Sequence, residues 1–498
     1  MKAKQNIQNK YTKYLLGIFV IIAIVIFYYI LFKYPQTGVA DQGDFDRLMW
    51  PAGLKLLESD ATNPDFIRFY QYIVTDYKID IKFYNIATTI FGSIIDYIIF
   101  IINIICKLLG QSIFKTQYLA IVYGLIYISS IFIIIKNLNI NSKLKLLIIY
   151  TVAIFIFMDG NYIVWFNSLY GEPMMISSLL LFLASVLIYI NSKSKEKIFN
   201  KLIFVYIAAF MFIASKMQVL TALPFVLFIL IKIFLDNRNY LSKKAKIVLT
   251  SILIFTIIHP LQMNAVNKDI KKDTNYNSVF YGILNGSETP RQDLIDLGLN
   301  PEMASEAGKH AYLAPEEYKK YVPRTEITEQ EFYSKIGNMK LATFYLTHPK
   351  RLIEGMEYTA EHAFITSTSL GKYYMADNED LSLEFNRFTT WSNFRESKLP
   401  NKLWFILTIF LLVFIGSLTK YIKSKEDKKI RERITLVWGL IFIAGIQFPM
   451  PYVANGQADT AKQLYLFNFI FDIFLFIILI AIIFKAIDFI KNMLLGKK

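Results

Sequence analysis

The stretch Asp41-Gln42-Gly43-Asp44-Phe45-Asp46-Arg47 packs three carboxylates and one guanidinium into seven residues. A carboxylate can take a proton from a hydroxyl group, and carboxylate oxygens also hold divalent cations. Asp44 and Asp46 are therefore candidate catalytic residues, and Asp41 and Arg47 are candidate substrate ligands. A structural alternative is that Asp44 caps a helix while Asp46 favours the positive end of that helix.

A second acid, Glu172, follows Tyr170 in a loop without basic residues, directly before Pro173. Proline fits the first position of a helix, so Glu172 could simply favour the helix N-terminus. A carboxylate beside an apolar span is costly to bury without a partner. We therefore predict that Glu172 is a catalytic partner of the acidic stretch, and that Tyr170 contacts the substrate.

A metal ion is a further option for these acids. Oxygen ligands suit Mg²⁺ or Mn²⁺, so either ion is an open alternative, whereas no cofactor is required by the sequence. The four histidines show no metal-ligand spacing, which argues against zinc. The candidate ligands are Asp41, Asp44, Asp46 and Glu172.

The composition places these residues in a membrane protein. The chain has 498 residues, of which 55% are hydrophobic, and it contains repeated apolar runs of about 20 residues. Its net charge of +15 comes largely from lysines in short loops between apolar runs, so we predict membrane lipids and no nucleic acid as partners. The single cysteine, Cys106, excludes a disulfide framework.

The apolar runs predict an all-α polytopic membrane protein with about ten transmembrane helices. Two of the runs, 146–160 and 201–214, are shorter than a full crossing, and 84–109 is predicted to be an interfacial or re-entrant helix pair. The residues from the acidic stretch to about Lys82 are expected to form short surface helices. The predicted spans are 14–32, 115–135, 146–160, 173–191, 201–214, 219–235, 247–262, 402–420, 434–450 and 464–484.

Basic loops between the spans set the orientation. Loops rich in Lys and Arg stay in the cytoplasm, which places both termini inside and the acidic stretch outside the cell membrane. Three regions follow from this topology: a transmembrane module with an acidic external loop, an external and mainly helical domain, and a group of C-terminal helices. Their bounds are 1–262 (loop 34–83), 263–400 and 401–498.

Two lysines run against this rule, because Lys216 and Lys462 fall in short loops on the predicted outer side. Either could bind the phosphate of a lipid. Alternatively, each reaches a lipid headgroup without specificity. We take both lysines, with their polar neighbours Gln218 and Asp459, as candidate substrate ligands.

The order of these parts resembles the GT-C superfamily of polyprenyl-phosphate-sugar-dependent glycosyltransferases. Short motifs along the chain are similar to those of hexosyltransferases from Gram-positive surface-glycan clusters: Gly43-Asp44-Phe45 with Arg47, Tyr170-Gly171-Glu172-Pro173, Phe280-Tyr281-Gly282-Ile283-Leu284, Leu297-Gly298-Leu299 and His348-Pro349. The resemblance implies that Asp44 is the general base and that His348 is a substrate ligand. It also implies transfer of a hexose, with inversion, from a polyprenyl phosphate to a cell-surface glycan.

Two other functions compete with this interpretation. A flippase or transporter for lipid-linked sugars would be expected to carry ionisable groups near the middle of its spans. A glycan polymerase or ligase would share the substrate and the side of the membrane. The acids in external loops favour the transferase.

The predicted orientation is testable by cysteine labelling of intact cells. We expect Glu317→Cys to react with a membrane-impermeant reagent and Lys428→Cys to be protected, because the first lies in the external domain and the second in a basic loop. Labelling of Lys428→Cys without labelling of Glu317→Cys would contradict the topology.

Overall fold

The computed structural model describes residues 2–140, 142–192, 197–266, 268–374 and 384–494. Within these residues, eight helical stretches are long and apolar enough to cross a membrane. A ninth crossing would join Lys143–Phe157 and Gly160–Phe166, which meet at a bend of 53°. The eight are Tyr14–Leu31, Thr116–Asn137, Glu172–Asn191, Met217–Tyr240, Lys243–Met263, Leu403–Lys423, Lys428–Asn455 and Tyr465–Leu494.

The predicted all-α polytopic fold is thereby confirmed. Each predicted span coincides with one of the stretches above, with the bent pair, or with the apolar helix Ile198–Ile213. The two runs predicted to be short correspond to the bent pair and to Ile198–Ile213, which has 16 residues. Both are flanked by other helices of the bundle rather than standing alone.

The N-terminal part consists of one long helix followed by a small region of mixed structure. Its elements are α1 (Lys2–Leu31), α2 (Asp46–Ala52), β1 (Leu54–Leu56), α3 (Glu58–Ala61), α4 (Asp65–Tyr70), β2 (Asp76–Ile79), α5 (Phe83–Ile90), α6 (Ile94–Leu108) and β3 (Ile113–Lys115). The short helices agree with the prediction. The strands were not predicted.

The three strands form an antiparallel sheet in the order β1-β2-β3. Leu54 faces Ile79 and Tyr77 faces Phe114, so each pairing joins residues that are distant in sequence. Strands of three or four residues are too short to show the alternation by which a strand is recognised. The sequence therefore gave no signal for the sheet.

Helices α5 and α6 confirm the predicted helix pair at 84–109. Phe83 is 91% exposed and Leu108 is 81% exposed, although both are apolar. The polar side chains of the pair are buried instead: Asp96 accepts from the backbone N–H of Ser93, and Asn103 donates to the carbonyl of Ala52. These helices expose apolar side chains and direct polar side chains such as Asp96 and Asn103 towards the protein. Such an arrangement suits the membrane interface.

The central spans follow in chain order. They are α7 (Thr116–Asn137), α8 (Lys143–Phe157), α9 (Gly160–Ile163), α10 (Glu172–Asn191), α11 (Ile198–Ile213), α12 (Leu223–Asn237) and α13 (Lys243–Val266). In α10, 83% of the span is buried, because α7, α11, α21 (Lys428–Gln447) and α24 (Tyr465–Leu494) pack around it. A helix that is apolar all round suits such a central position.

Between α13 and the last spans the described chain is helical or irregular. Its helices are α14 (Lys268–Ser278), α15 (Pro290–Asp296), α16 (Glu326–Thr328), α17 (Asn338–Thr347), α18 (Pro349–His362) and α19 (Thr390–Lys398). The remaining helices are α20 (Leu403–Lys423), α22 (Met450–Asn455) and α23 (Thr460–Gln463), together with α21 and α24. We call the end of the bundle at Leu31, Thr116, Glu172, Ile213 and Tyr465 the upper end.

A buried ion pair joins α19 to the last span. Arg395 and Asp472 both have fully buried side chains, with Nη1 and Oδ2 2.5 Å apart. Tyr162 donates to the same Oδ2 at 2.7 Å, and Arg395 donates to Thr366 at 2.8 Å. The sequence analysis did not single out Asp472, because it lies inside an apolar run. Its buried charge is matched by Arg395.

Arg387, a short distance before α19, holds the upper end of α1. Its guanidinium donates to the carbonyl oxygens of Ile30, Lys33 and Pro35 at 3.2, 2.8 and 2.7 Å. The last carbonyls of a helix lack partners within the helix, and a cation at that end also interacts favourably with the helix dipole. The direction in which the chain leaves α1 is thus fixed.

The next residues pair with a second segment. The N–H groups of Gly38 and Ala40 donate to the carbonyls of Lys372 and Gly371 at 3.1 and 2.9 Å. A Cβ atom on Gly38 would lie 2.3 Å from the carbonyl oxygen of Asn167, so only glycine fits there. This pairing positions the chain that enters the acidic stretch.

The Arg395–Asp472 pair gives a stability prediction. Arg395→Met should destabilise the protein by about 3–5 kcal/mol, because it leaves Asp472 charged and buried without its cation. Thermal unfolding of the detergent-purified protein would measure this loss.

The double variant Arg395→Met/Asp472→Leu is the matched control. It should regain most of the lost stability, because no unpaired charge remains. If the double variant were less stable than Arg395→Met, the unpaired charge would not be the cause.

Candidate functional site

Asp41 organises the backbone of the acidic stretch. Its Oδ1 accepts hydrogen bonds from the N–H groups of Gly43, Asp44 and Phe45 at 2.8, 2.8 and 3.1 Å. The side chain is 3% exposed, and burial raises the pKa of Asp41 to about 6, although these hydrogen bonds lower it. Asp41 was predicted to be a substrate ligand, but the structure gives it this positioning contact.

Asp44 lies between two cations. Its Oδ2 accepts from Nζ of Lys462 at 2.8 Å, and its Oδ1 bonds the guanidinium of Arg47. The Asp44 side chain is 28% exposed, whereas that of Lys462 is only 10% exposed. The cap alternative for Asp44 is wrong: α2 has no side-chain cap, and Asp41 takes the free N–H groups. A partly accessible carboxylate is thus held by two cations.

Gln42 and Asp459 complete the link between the two loops. Gln42 accepts from Nζ of Lys462 at 3.1 Å through its Oε1 and donates to Oδ1 of Asp459 at 2.5 Å through its Nε2. The second oxygen of Asp459 lies 4.0 Å from Nζ of Lys462. The loop before α23 therefore closes over the acidic stretch, although 418 residues separate Lys462 from Asp44.

Glu172 forms a second ion pair at the upper end. Its Oε1 is 2.5 Å from Nζ of Lys216, and its side chain is fully buried while that of Lys216 is 29% exposed. Glu172 begins α10, where the helix dipole favours a negative charge. Its Oε2 has no hydrogen-bond partner among the described residues. A buried carboxylate oxygen without a partner is able to accept a bond from a ligand.

Tyr170 lies between the two ion pairs. Its hydroxyl donates to the carbonyl of Ala40 at 3.0 Å, and its ring packs edge-on against Phe45 with centroids 4.8 Å apart. Nζ of Lys462 lies 5.4 Å from the centre of the Tyr170 ring, a distance at which a cation is attracted to the ring. Tyr170 therefore positions both the acidic stretch and Lys462.

The three cations interact with one another. Burial lowers the pKa of Lys216, Glu172 opposes this effect, and the charges of Lys462 and Arg47 add to it. We call Arg47, Lys216 and Lys462 the cation cluster. The repulsion between like charges that are held close together decreases when an anion binds among them. The cluster is therefore suited to a phosphate group.

Tyr312 is a site neighbour that the sequence analysis missed. Burial lowers the pKa of the Arg47 guanidinium, and Tyr312, Asp41 and Glu172 oppose this effect. Tyr312 belongs to the segment between α15 and α16, so this segment reaches the cation cluster. An isolated tyrosine in a long polar segment carries no sequence signal of such a role.

Three predicted residues are placed differently. Asp46 is exposed in the first turn of α2, as its alternative role at a helix N-terminus predicts. Gln218 donates to the side chain of Gln447 at 2.6 Å and to the carbonyl of Gln463 at 2.8 Å, so it ties helices together. His348, at the junction of α17 and α18, bonds Asp296 at 3.1 Å.

Three of the four acids considered as metal ligands have other partners. Asp41 bonds backbone N–H groups, Asp44 bonds two cations and Glu172 bonds Lys216. In the described part of the chain, no group of three or more His, Cys, Asp or Glu side chains is placed to hold a metal ion. The cations that this arrangement can offer to an anionic ligand are Arg47, Lys216 and Lys462. The metal ion stays a prediction.

The comparisons with known proteins agree with a membrane-spanning chain. The family described as YfdI N-terminal transmembrane domain matches residues 1–497. The chain belongs to this family. Its members are membrane glycosyltransferase-like proteins. No curated protein and no solved structure matches the chain.

Family membership confirms part of the sequence interpretation. The chain is a multi-span membrane protein of a glycosyltransferase-like family, as the spans and motifs predicted. The resemblance to the GT-C superfamily stays a prediction, as do the donor, the acceptor and the roles of the site residues.

Asp41 gives a pH-dependent prediction. Its pKa is about 6 in the folded protein and 3.8 when exposed, so folding favours the protonated form. The wild-type protein should therefore lose stability as the pH rises from about 4 to 6, whereas Asp41→Asn, which keeps Oδ1 as an acceptor and cannot ionise, should not. In measurements from pH 4 to 7.5, the unfolding temperature of Asp41→Asn should therefore rise relative to that of the wild type as the pH increases.

Asp46→Asn is the matched control, because it makes the same change at an exposed position of the same stretch. Its difference in unfolding temperature from the wild type should change much less over this range, because Asp46 is exposed and acts on Asp41 only through its charge. An equally small change for Asp41→Asn would contradict the effect of burial on Asp41.

Proposed function

We propose that the chain is a membrane glycosyltransferase that moves a hexose from a polyprenyl phosphate to a hydroxyl group of a cell-surface glycan. Transfer takes place on the outer face of the cell membrane. The observation that carries the proposal is the contact of Asp44 with Lys462 and Arg47, beside Lys216. It combines a carboxylate that can accept a proton with cations that can receive a phosphate.

Membership of a glycosyltransferase-like family and the position of the site support a lipid-linked donor. Lys216 and Lys462 lie just before the membrane-spanning stretches Met217–Tyr240 and Tyr465–Leu494, and Arg47 joins them from the short helix α2. The headgroup of a membrane lipid is within reach of lysine and arginine side chains at this level. The polyprenyl chain stays in the bilayer while its phosphate enters the cation cluster. Charge-assisted bonds to phosphate are strong enough to hold it there.

The reaction assigns separate tasks to the carboxylate and the cations. The acceptor oxygen attacks C1 of the hexose from the side opposite the phosphate, and the bond from C1 to the phosphate oxygen breaks. Asp44 receives the proton of the acceptor hydroxyl. The electron pair of the broken bond leaves with the polyprenyl phosphate, whose added negative charge Arg47, Lys216 and Lys462 stabilise. The new bond forms with inversion at C1.

In this scheme Glu172 positions one member of the cation cluster, Lys216. It holds Nζ of Lys216 at 2.5 Å at the start of α10, so the lysine is positioned before the donor arrives. Preorganised charges stabilise a transition state better than charges that must move into place. Glu172 is thus a positioning residue for the phosphate-binding lysine.

The buried Asp472 does not favour a transporter. An ionisable group inside a span is expected in transporters. The partners of Asp472 are Arg395 and Tyr162, which bond its Oδ2, and Arg395 belongs to α19. This pair fixes α19 to the bundle, so its position is explained by the fold.

Asp44→Asn tests the proposal. The substitution keeps the size of the side chain and removes the base, so membrane insertion should be normal while transfer falls by about a hundredfold or more. The assay follows labelled hexose from polyprenyl-phosphate-hexose to glycan in membranes that contain the variant. Cells from which the chain is deleted, compared by mass analysis of their glycans and lipid-linked sugars, identify the hexose.

Asp46→Asn is the control for this assay, since Asp46 is exposed and two residues from Asp44. It should transfer hexose at close to the wild-type rate. Near-normal transfer by correctly inserted Asp44→Asn would reject Asp44 as the base. Loss of transfer in Asp46→Asn alone would move that role to Asp46.

A further inference from the structure

A polar cavity of about 240 Å³ lies at the loop that also carries Asp459 and Lys462. It opens between α17, α18 and α22, and the turn that follows residue 283 closes one side. One sequence motif reaches it, since Ile283 of Phe280-Tyr281-Gly282-Ile283-Leu284 lines one side. Six of the residues that line it are Tyr345, Arg351, Glu354, Tyr358, Tyr452 and Gln457.

Three tyrosines form the aromatic wall of this cavity. The rings of Tyr358 and Tyr452 have centroids 5.8 Å apart, and those of Tyr345 and Tyr452 are 6.3 Å apart. Gly355 makes this packing possible, because a Cβ atom there would lie 2.3 Å from the ring of Tyr452. Aromatic walls with a few fixed polar groups are typical of sites for organic ligands.

The hydroxyl of Tyr345 has no hydrogen-bond partner among the described residues, although its side chain is only 3% exposed. The hydroxyls of its neighbours are engaged: Tyr358 donates to the carbonyl of Gln457 and Tyr452 to that of Gly282, both at 3.3 Å. A buried polar group without a partner costs free energy that a bound ligand can recover. Because Tyr345, unlike the other buried tyrosines whose hydroxyl lacks a partner in the described chain, also lines the cavity, its hydroxyl is a candidate partner for a ligand that carries hydroxyl groups.

The charges of the cavity are already balanced. Arg351 donates to Oδ2 of Asp293 at 2.6 Å and bonds Ser287, and it lies 3.5 Å from Glu354. Because Arg351 is paired with two carboxylates, the lining carries no excess positive charge for a phosphate. The cavity therefore suits an uncharged, hydroxyl-rich ligand.

The cavity and the candidate site share one loop. Gln457 lines the cavity and donates from its backbone N–H to Tyr281 at 3.2 Å. Asp459, two residues later, bonds Gln42 beside Asp44. Two residues of extended chain span at most about 7 Å. Residues 457 to 462 thus connect the cavity to the proposed base, and a glycan of several sugar rings can span that connection.

We infer that this cavity is the acceptor subsite, which holds a sugar ring of the glycan while a hydroxyl group of that glycan reaches Asp44. The inference rests on the proposed function for its reaction, but binding in the cavity is measured separately from transfer. The tyrosine rings cover the apolar face of the sugar, and Tyr345, Glu354 and Gln457 bond its hydroxyl groups.

Binding of a defined probe to the full-length protein in lipid nanodiscs tests the inference. The probe is the oligosaccharide released and freed of lipid from the surface glycan of cells that lack the chain. Tyr345→Phe removes one hydroxyl and should weaken binding by about 2- to 10-fold, the effect of one hydrogen bond. In transfer assays its KM for this oligosaccharide should rise by a similar factor, with kcat and the KM for the donor unchanged.

Tyr123→Phe is the matched control. Tyr123 is fully buried in α7 and its hydroxyl also lacks a partner in the described chain, but it does not line the cavity. It should bind the probe like the wild type. Glu354→Gln, at a partly exposed position of the cavity, should weaken binding and provides a second variant that does not disturb buried packing.

The outcomes separate this inference from the proposed function. Asp44→Asn should bind the oligosaccharide like the wild type while transfer is lost. Equal probe affinity in Tyr345→Phe and Tyr123→Phe, or no binding to the wild type, would overturn the acceptor subsite. Weaker use of the donor without weaker binding of the oligosaccharide would also overturn it. Normal transfer by Asp44→Asn together with weaker binding in Tyr345→Phe would reject Asp44 as the base. The same result would still support the cavity as the acceptor subsite.

Discussion

The ion pair between Arg395 and Asp472 is the contact on which the geometry of the upper end depends. It fixes α19 to the last span, and Arg387, which precedes α19, holds the carbonyls at the end of α1. The chain then pairs through Gly38 and Ala40 and enters the acidic stretch. A charge pair inside the bundle thereby determines where Asp44 lies, although no residue of the pair touches the candidate site.

The spans and the site lysines could be predicted from the sequence for physical reasons. Apolar runs of bilayer length have few alternatives to transmembrane helices, so the bundle followed from hydrophobicity. Lys216 and Lys462 stood out because both fall in short loops on the predicted outer side, where lysine is unusual. The structure supplies those partners as Glu172 and Asp44. The sequence singled out all four residues, but it did not show that Lys216 pairs with Glu172 and Lys462 with Asp44.

Other features depend on contacts that no local pattern encodes. The sheet joins strands of three or four residues through pairs such as Tyr77 with Phe114, and Tyr312 reaches Arg47 from a different part of the chain. Asp41 and Asp44 have the same side chain but differ in burial and in their partners. Only the folded structure shows that Asp41 accepts from backbone N–H groups while Asp44 pairs with cations.

The contact between Asp44 and Lys462 also bears on biosynthesis. A ribosome makes Lys462 418 residues after Asp44, when almost all of the spans have already entered the membrane. Until then the acidic stretch has no lysine from the loop before α23, and the nascent chain carries a carboxylate that only water and Arg47 can solvate. The site is therefore assembled at the end of translation. A chain truncated before Lys462 lacks one of the two cations that contact Asp44.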